Sequence, residues 1–110
     1  MAEVYLSNLA KQDLADVKQY IANELQNPEA AKKTIARIFK SLHVLEQFPL
    51  SGAPLQTAGI QTGYRSVVSG SYRIFYRGDE DVVYVVRILY GRRNFMKILF
   101  NTPTPPTEEE

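Results

Sequence analysis

An α+β fold, with a helical hairpin laid across one face of a small antiparallel sheet, is what three features of this 110-residue chain predict. Two segments of the first half repeat apolar residues at three- and four-residue steps, the period of a helix with one buried face. Three segments of the second half, 64–68, 72–77 and 82–90, are rich in Tyr, Val and Ile and are parted by short polar turns containing glycine. Such runs are consecutive antiparallel strands joined as hairpins. With one strand-like run ahead of the helices, the element order is β-α-α-β-β-β.

The elements follow in order. Residues 3–7 (EVYLS) alternate, with Val4 and Leu6 on one face and Tyr5 on the other. Ser7 or Asn8 is a suitable cap for a first helix whose stripe is Leu14, Val17, Ile21 and Leu25. The second helix is announced by Asn27 as N-cap, Pro28 at the first helical position and Glu29 at the positive dipole end. Its stripe runs Ala31, Ile35, Ile38, Leu42 and Leu45, and Pro49 stops it. So short a connection makes the two helices an antiparallel hairpin. In the strand at 72–77, Tyr72, Ile74 and Tyr76 point one way and Arg73, Phe75 and Arg77 the other. The strand at 82–90 is apolar at nearly every position, as a central strand covered on both faces would be.

Length and composition bound the rest. A chain of this size buries about two-thirds of its unfolded surface, enough for one core, here expected at 1–100. There are no cysteines, which excludes disulfides and thiolate metal sites. The N-terminus has no basic region followed by an apolar stretch, and no apolar run approaches a membrane span, so a cytoplasmic protein without membrane contact is expected. Residues 101–110, NTPTPPTEEE, are polar and proline-rich, and a disordered acidic tail is expected there. Setting aside its three glutamates leaves 13 basic and 9 acidic side chains in residues 1–100, a net of +4. Between Arg65 and Lys97 seven bases face only Asp79, Glu80 and Asp81, which share one turn. That excess is small for a protein held to nucleic acid mainly through phosphates.

The residues that invite a function are Arg65, Arg73, Arg77, Arg87, Arg92 and Arg93, always-protonated forks set among tyrosines and valines. Arg65, Arg77 and Arg87 have an equally good use as partners of nearby carboxylates or as stems lying over the sheet. Arg92 and Arg93, adjacent at a strand end after Gly91, are harder to satisfy internally and are the better part of a working surface. Phe95 follows them, an apolar residue beside two cations, the mix that anchors protein interfaces, although a core role fits it as well. His43, the single histidine, follows a stripe residue of the second helix and is read as a boundary residue with one nitrogen in water. No metal-ligand set, Gly-rich phosphate loop or serine nucleophile motif is present, and no cofactor is expected.

Taken together, GYRS at 63–66, YRIFYR at 72–77 and VVRILYGRR at 85–93, preceded by AKQDLADVKQYIA at 10–22 and LEQFPLSG at 45–52, resemble the ParE/RelE superfamily of bacterial toxins. These are the toxin halves of type II toxin–antitoxin pairs, and the resemblance covers roughly residues 2 to 98. It implies the same element order and a cognate antitoxin as partner. RelE-like members cleave messenger RNA on the ribosome without a metal, using two lysines, two arginines and a tyrosine. Here Arg73 matches the first arginine and Arg92 or Arg93 the second, but the lysine positions fall near Tyr64 and Ser66 and the tyrosine near Leu99. A ribonuclease would have to enlist Arg65, Arg73, Tyr90 and Arg93 in a rearranged site. ParE-like members, which inhibit DNA gyrase by protein binding, resemble this chain more closely. On that reading gyrase is the target rather than ribosome and messenger RNA, and the exposed basic sheet with the segment after it, Arg65, Arg73, Arg77, Arg92, Arg93 and Phe95, is the expected target- and antitoxin-binding set. A toxin that has lost activity and persists as an antitoxin-binding co-repressor is a third reading.

Overall fold

The computed structural model describes residues 1–100, of Phe100 the backbone alone; the expected tail at 101–110 lies outside the described residues. Five strands form one sheet in the order β1-β5-β4-β3-β2: β1 (Glu3–Leu6), β2 (Ala53–Thr57), β3 (Ile60–Ser69), β4 (Tyr72–Gly78) and β5 (Val82–Tyr90). Helices α1 (Asn8–Gln19) and α2 (Pro28–Gln47) cover one face, and a short α3 (Phe95–Phe100) follows β5. The architecture is the α+β arrangement read from the sequence. The sheet is antiparallel except at one edge, where β1 pairs parallel to β5, Tyr5 opposite Tyr84. A parallel neighbour cannot be reached by a tight hairpin, and here both helices and three strands separate β1 from β5 along the chain. Among the described residues no helix is long and apolar enough to cross a membrane.

Local chemistry starts and stops the helices where it should. The Ser7 hydroxyl accepts from Ala10 N–H at 3.0 Å to cap α1, and the Asn27 side chain accepts from Ala30 N–H at 3.0 Å to cap α2, with Pro28 next. The first stripe is correct through Ile21 and fails at Leu25, which is 56% exposed. After Gln19 the helix widens into a π turn over Tyr20–Glu24, with Leu25 N–H bonded to the Tyr20 carbonyl at 3.1 Å. The extra residue in that turn carries Leu25 off the buried stripe.

The core lies between the hairpin and the sheet. Ile38, Leu42 and Leu45 of α2 and Ala10 of α1 pack on Ile74, Tyr76, Val83, Val85 and Ile88. Ile38 is fully buried, and truncating it to alanine would cost about 2–5 kcal/mol through lost burial and a residual cavity. The alternation of β4 holds. Ile74 and Tyr76 face the helices, while Phe75 faces outward and is covered by Phe95 of α3, ring centroids 5.0 Å apart. The outer face of β5 is covered only in its second half: Leu89 is buried, whereas Tyr84 is 49% exposed.

The structure adds β2 and begins β3 at Ile60, ahead of the expected 64. Residues 53–63 contain Pro54 and little apolar alternation, so their pairing is set by a tight turn rather than by burial. Ala58 and Gly59 both have positive φ, 52° and 78°, the signature of a two-residue type I′ hairpin, with Thr57 opposite Ile60. The β4–β5 turn depends on Gly78, at φ 145°, where an added Cβ would lie 2.0 Å from the Val82 carbonyl oxygen. The Asp79 carboxylate closes that turn, accepting from Asp81 N–H at 2.8 Å and Val82 N–H at 3.0 Å. These two donors hold its carboxyl below the usual carboxylate range.

Candidate functional site

Arg87 is committed to the fold. β1 ends at Leu6 while β5 runs on to Tyr90, so beyond Val85 one edge of β5 has no strand beside it. The start of α1 fills the gap. Ser7 N–H bonds to the Val85 carbonyl at 2.9 Å and the Ser7 hydroxyl donates to the Val86 carbonyl at 2.8 Å. Six residues later the buried Asp13 takes over. Its Oδ2 accepts from Arg87 Nε at 2.8 Å and from Ile88 N–H at 2.9 Å, and its Oδ1 accepts from Arg87 Nη2 at 2.9 Å. The bonds from Asp13 raise the Arg87 pKa further above its ordinary value, against the opposing effect of burial.

Arg65 is likewise used internally. Its Nη1 donates to the carbonyls of Gly52 at 2.9 Å and Leu50 at 3.2 Å, tying the exit of α2 to the sheet. The cross-strand partner of Arg65, Tyr76, accepts from Gly52 N–H at 2.8 Å through its hydroxyl. Glycine is required at 52 by contact rather than by backbone angle, since a Cβ there would come within 2.5 Å of that hydroxyl.

The other four arginines offer their charge outward, in three places. Arg73 is half-buried on the outer face, its guanidinium 5.4 Å from the centroid of the Phe95 ring. Arg77 lies on the same face toward the other end of the sheet, 6.0 Å over Tyr64. Arg92 and Arg93 stand exposed in the turn after β5, and no side-chain hydrogen bond or ion pair engages either among the described residues. Arg93 forms one wall of a groove of about 790 Å³ between the end of α1 and strands β4 and β5. Tyr20, Leu25, Tyr72 and Tyr90 line it as well, with Asp16 on the α1 side. Tyr72 and Tyr90 meet edge to face at 5.9 Å, and Tyr20 and Tyr90 are 52% and 44% exposed. Burial raises the Tyr72 pKa, keeping its phenol neutral.

The sequence-derived residues therefore divide. Arg93 and Tyr90 come together at the groove on the helix side, whereas Arg73, Phe95 and Arg77 share the outer face. Tyr90 is cross-strand from Tyr72, and Arg73 from Leu89, so Tyr90 and Arg73 occupy opposite faces of the sheet. Arg65 points to neither place. His43 is exposed, with Nδ1 3.1 Å from Glu46 Oε1 on the next turn of α2. Sequence reasoning missed Tyr20 and Tyr72 as groove residues. A tyrosine three positions after Val17 and one before Ile21, at the margin of the α1 stripe, was the available signal.

Comparison with known proteins follows the same lines. Residues 4–95 match the family model described as ParE toxin of type II toxin-antitoxin system, parDE. No curated protein sequence matches the chain. Among solved structures, the chromosomal ParDE toxin–antitoxin system of P. aeruginosa superimposes with a TM-score of 0.67 at 21% identity, over 82% of this chain and 96% of that one. The RelBE2 toxin–antitoxin complex of Mycobacterium tuberculosis gives 0.58 at 24% identity, over 81% and 96%. A YoeB/ParE toxin of Agrobacterium tumefaciens gives 0.54 at 17% identity, over 80% and 96%. At these identities the structures establish a shared fold. The family match, spanning most of the chain and joined to the hairpin-on-sheet architecture, establishes that this protein belongs to the ParE toxin family of type II toxin–antitoxin systems, within the ParE/RelE superfamily.

Proposed function

We propose that this toxin acts by protein–protein binding, with DNA gyrase as its target and a cognate antitoxin as its inhibitor, and that it performs no catalysis of its own. The observation that carries this reading is the separation of Tyr90 from Arg73 across the sheet. Metal-independent cleavage of RNA needs a base, an acid and cations converging on one phosphate. Here Arg65 is bonded to backbone carbonyls, Arg73 rests on Phe95, and Tyr90 and Arg93 belong to the other face. What the surface does offer is a tyrosine-lined groove with an unpaired arginine at its edge, the composition of a binding hot spot.

The antitoxin lays an amphipathic helix along the groove, where Tyr20, Leu25, Tyr72 and Tyr90 take its apolar residues, and a carboxylate of its own meets Arg93. Arg73 is the contact for an extended segment on the outer face. An interface able to neutralise a toxin buries on the order of 2,000 Å² or more. The deciding experiment is a supercoiling assay with purified gyrase, run beside a translation extract that lacks gyrase. Inhibition in the first and intact messenger RNA in the second are expected. Normal supercoiling with ribosome-dependent cleavage would replace this reading by the ribonuclease one, and expression without effect on growth would leave an antitoxin-binding co-repressor.

A further inference from the structure

On the outer face, beyond the part that Phe95 covers, four side chains form a row across four strands. Tyr5 of β1 is opposite Tyr84 of β5, Tyr84 is opposite Arg77 of β4, and Arg77 lies over Tyr64 of β3. Cross-strand partners share a face, and Tyr84 alternates with the core residues Val83 and Val85, so the row faces away from the helices. The Tyr5 and Tyr84 rings stack at 5.7 Å with 22° between their planes, yet they remain 48% and 49% exposed. A stacked, half-open ring pair in register with an arginine and a third tyrosine has the make-up of a contact anchor, not of a solvated sheet surface.

Charge selects the occupant. The row ends beside the β4–β5 turn with Asp79, Glu80 and Asp81, and Glu3 joins them, its N–H bonded to the Asp81 carbonyl at 2.9 Å. Glu3 accepts a hydrogen bond from the Tyr5 hydroxyl, and Asp79 is held ionised by its two backbone donors. Among the described residues these four carboxylates outnumber the cations beside them, Arg77 and the Met1 amino group, and repel a phosphate backbone or an acidic peptide.

We propose that this acidic, tyrosine-plated end of the sheet is a second docking surface, for a basic segment of a partner protein. A cationic side chain stacks on the Tyr5–Tyr84 pair within the ring of carboxylates. This surface is separate from the Arg93 groove and does not depend on what that groove binds.

The test titrates the full-length protein, at physiological ionic strength, with three labelled probes: a peptide alternating arginine and leucine, one alternating glutamate and leucine, and oligo(dT). The arginine peptide is expected to bind, to weaken about tenfold with Tyr84→Ala, and to bind Tyr84→Phe as it binds the parent. Glu80→Lys, in an exposed turn, weakens the same peptide and keeps the test usable if Tyr84→Ala fails to fold. An arginine peptide that does not bind, or that ignores both Tyr84→Ala and Glu80→Lys, overturns the proposal. So does oligo(dT) or glutamate-peptide binding that Tyr84→Ala removes, which would make the rings a platform for bases or anions.

Discussion

Asp13 and Arg87, 74 positions apart, are locked by hydrogen bonds of 2.8 and 2.9 Å, and the same carboxylate also receives the Ile88 N–H. One aspartate thus neutralises a largely buried guanidinium and completes the edge of β5 where β1 runs out. Asp13→Ala removes both services and leaves a charge and a backbone donor without partners. A loss of about 3–5 kcal/mol is expected in urea unfolding. The double variant Asp13→Leu/Arg87→Met removes the stranded charge and should recover much of that loss. A cost below about 1 kcal/mol for Asp13→Ala would show that the pair is not structural.

Ala58 occupies a left-handed position, φ 52°, in the turn between β2 and β3. An alanine held there costs about 1–2 kcal/mol relative to ordinary backbone, and asparagine followed by glycine is the preferred type I′ pair. Ala58→Asn should therefore stabilise the protein by about 0.5–1 kcal/mol, seen as a melting temperature several degrees higher. An unchanged or lower value would mean that the hairpin does not adopt this turn in solution.

How much of this was legible in the sequence follows the strength of the local signals. The caps at Ser7 and Asn27, the α2 stripe and the alternation of β4 are encoded within a few residues, and each stands where it was read. Leu25 was misplaced because hydrophobic period assumes uniform helix geometry, and the π turn at Tyr20–Glu24 leaves no compositional mark. β2 was missed because an edge strand with Pro54 lacks apolar alternation. The arginines show the limit most clearly. Arg77 and Arg87 read alike in the chain, yet Arg87 meets a carboxylate from the first helix while Arg77 lies exposed over Tyr64. Only tertiary contact separates a structural cation from an available one.

Burial of phenols couples the fold to alkaline pH. Tyr72 and Tyr76 both titrate above the ordinary value of 10.0, chiefly because burial disfavours the phenolate. Between that value and their raised folded values the unfolded chain releases protons that the folded chain retains. Stability contributed by the neutral phenols is thus complete below about pH 10 and is lost as pH rises through the folded pKa values. Tyr72→Phe should flatten the decline of urea stability above pH 10. Tyr76→Phe flattens it too but also removes the bond from Gly52 N–H, costing about 1 kcal/mol at neutral pH. An identical alkaline slope in the Tyr72→Phe protein would count against this account.

Arg93 tests the proposed mechanism most directly, because its exposure separates function from folding. Its side chain is not engaged by the described residues, so Arg93→Ala should change stability by no more than about 0.5 kcal/mol. If the toxin inhibits gyrase through the surface around the groove, that substitution should abolish inhibition in a supercoiling assay. Antitoxin binding should remain largely intact, since the groove's apolar contacts carry most of it. Truncation before Phe95 is the poorer test, because that ring covers the buried Phe75 and its removal would expose the core. Arg87→Ala serves as the contrast, losing activity together with stability once Asp13 is left unpaired. Full toxicity of Arg93→Ala, with gyrase untouched by the wild-type protein and ribosomal messenger RNA cleaved, would transfer the activity to the ribonuclease branch of the superfamily.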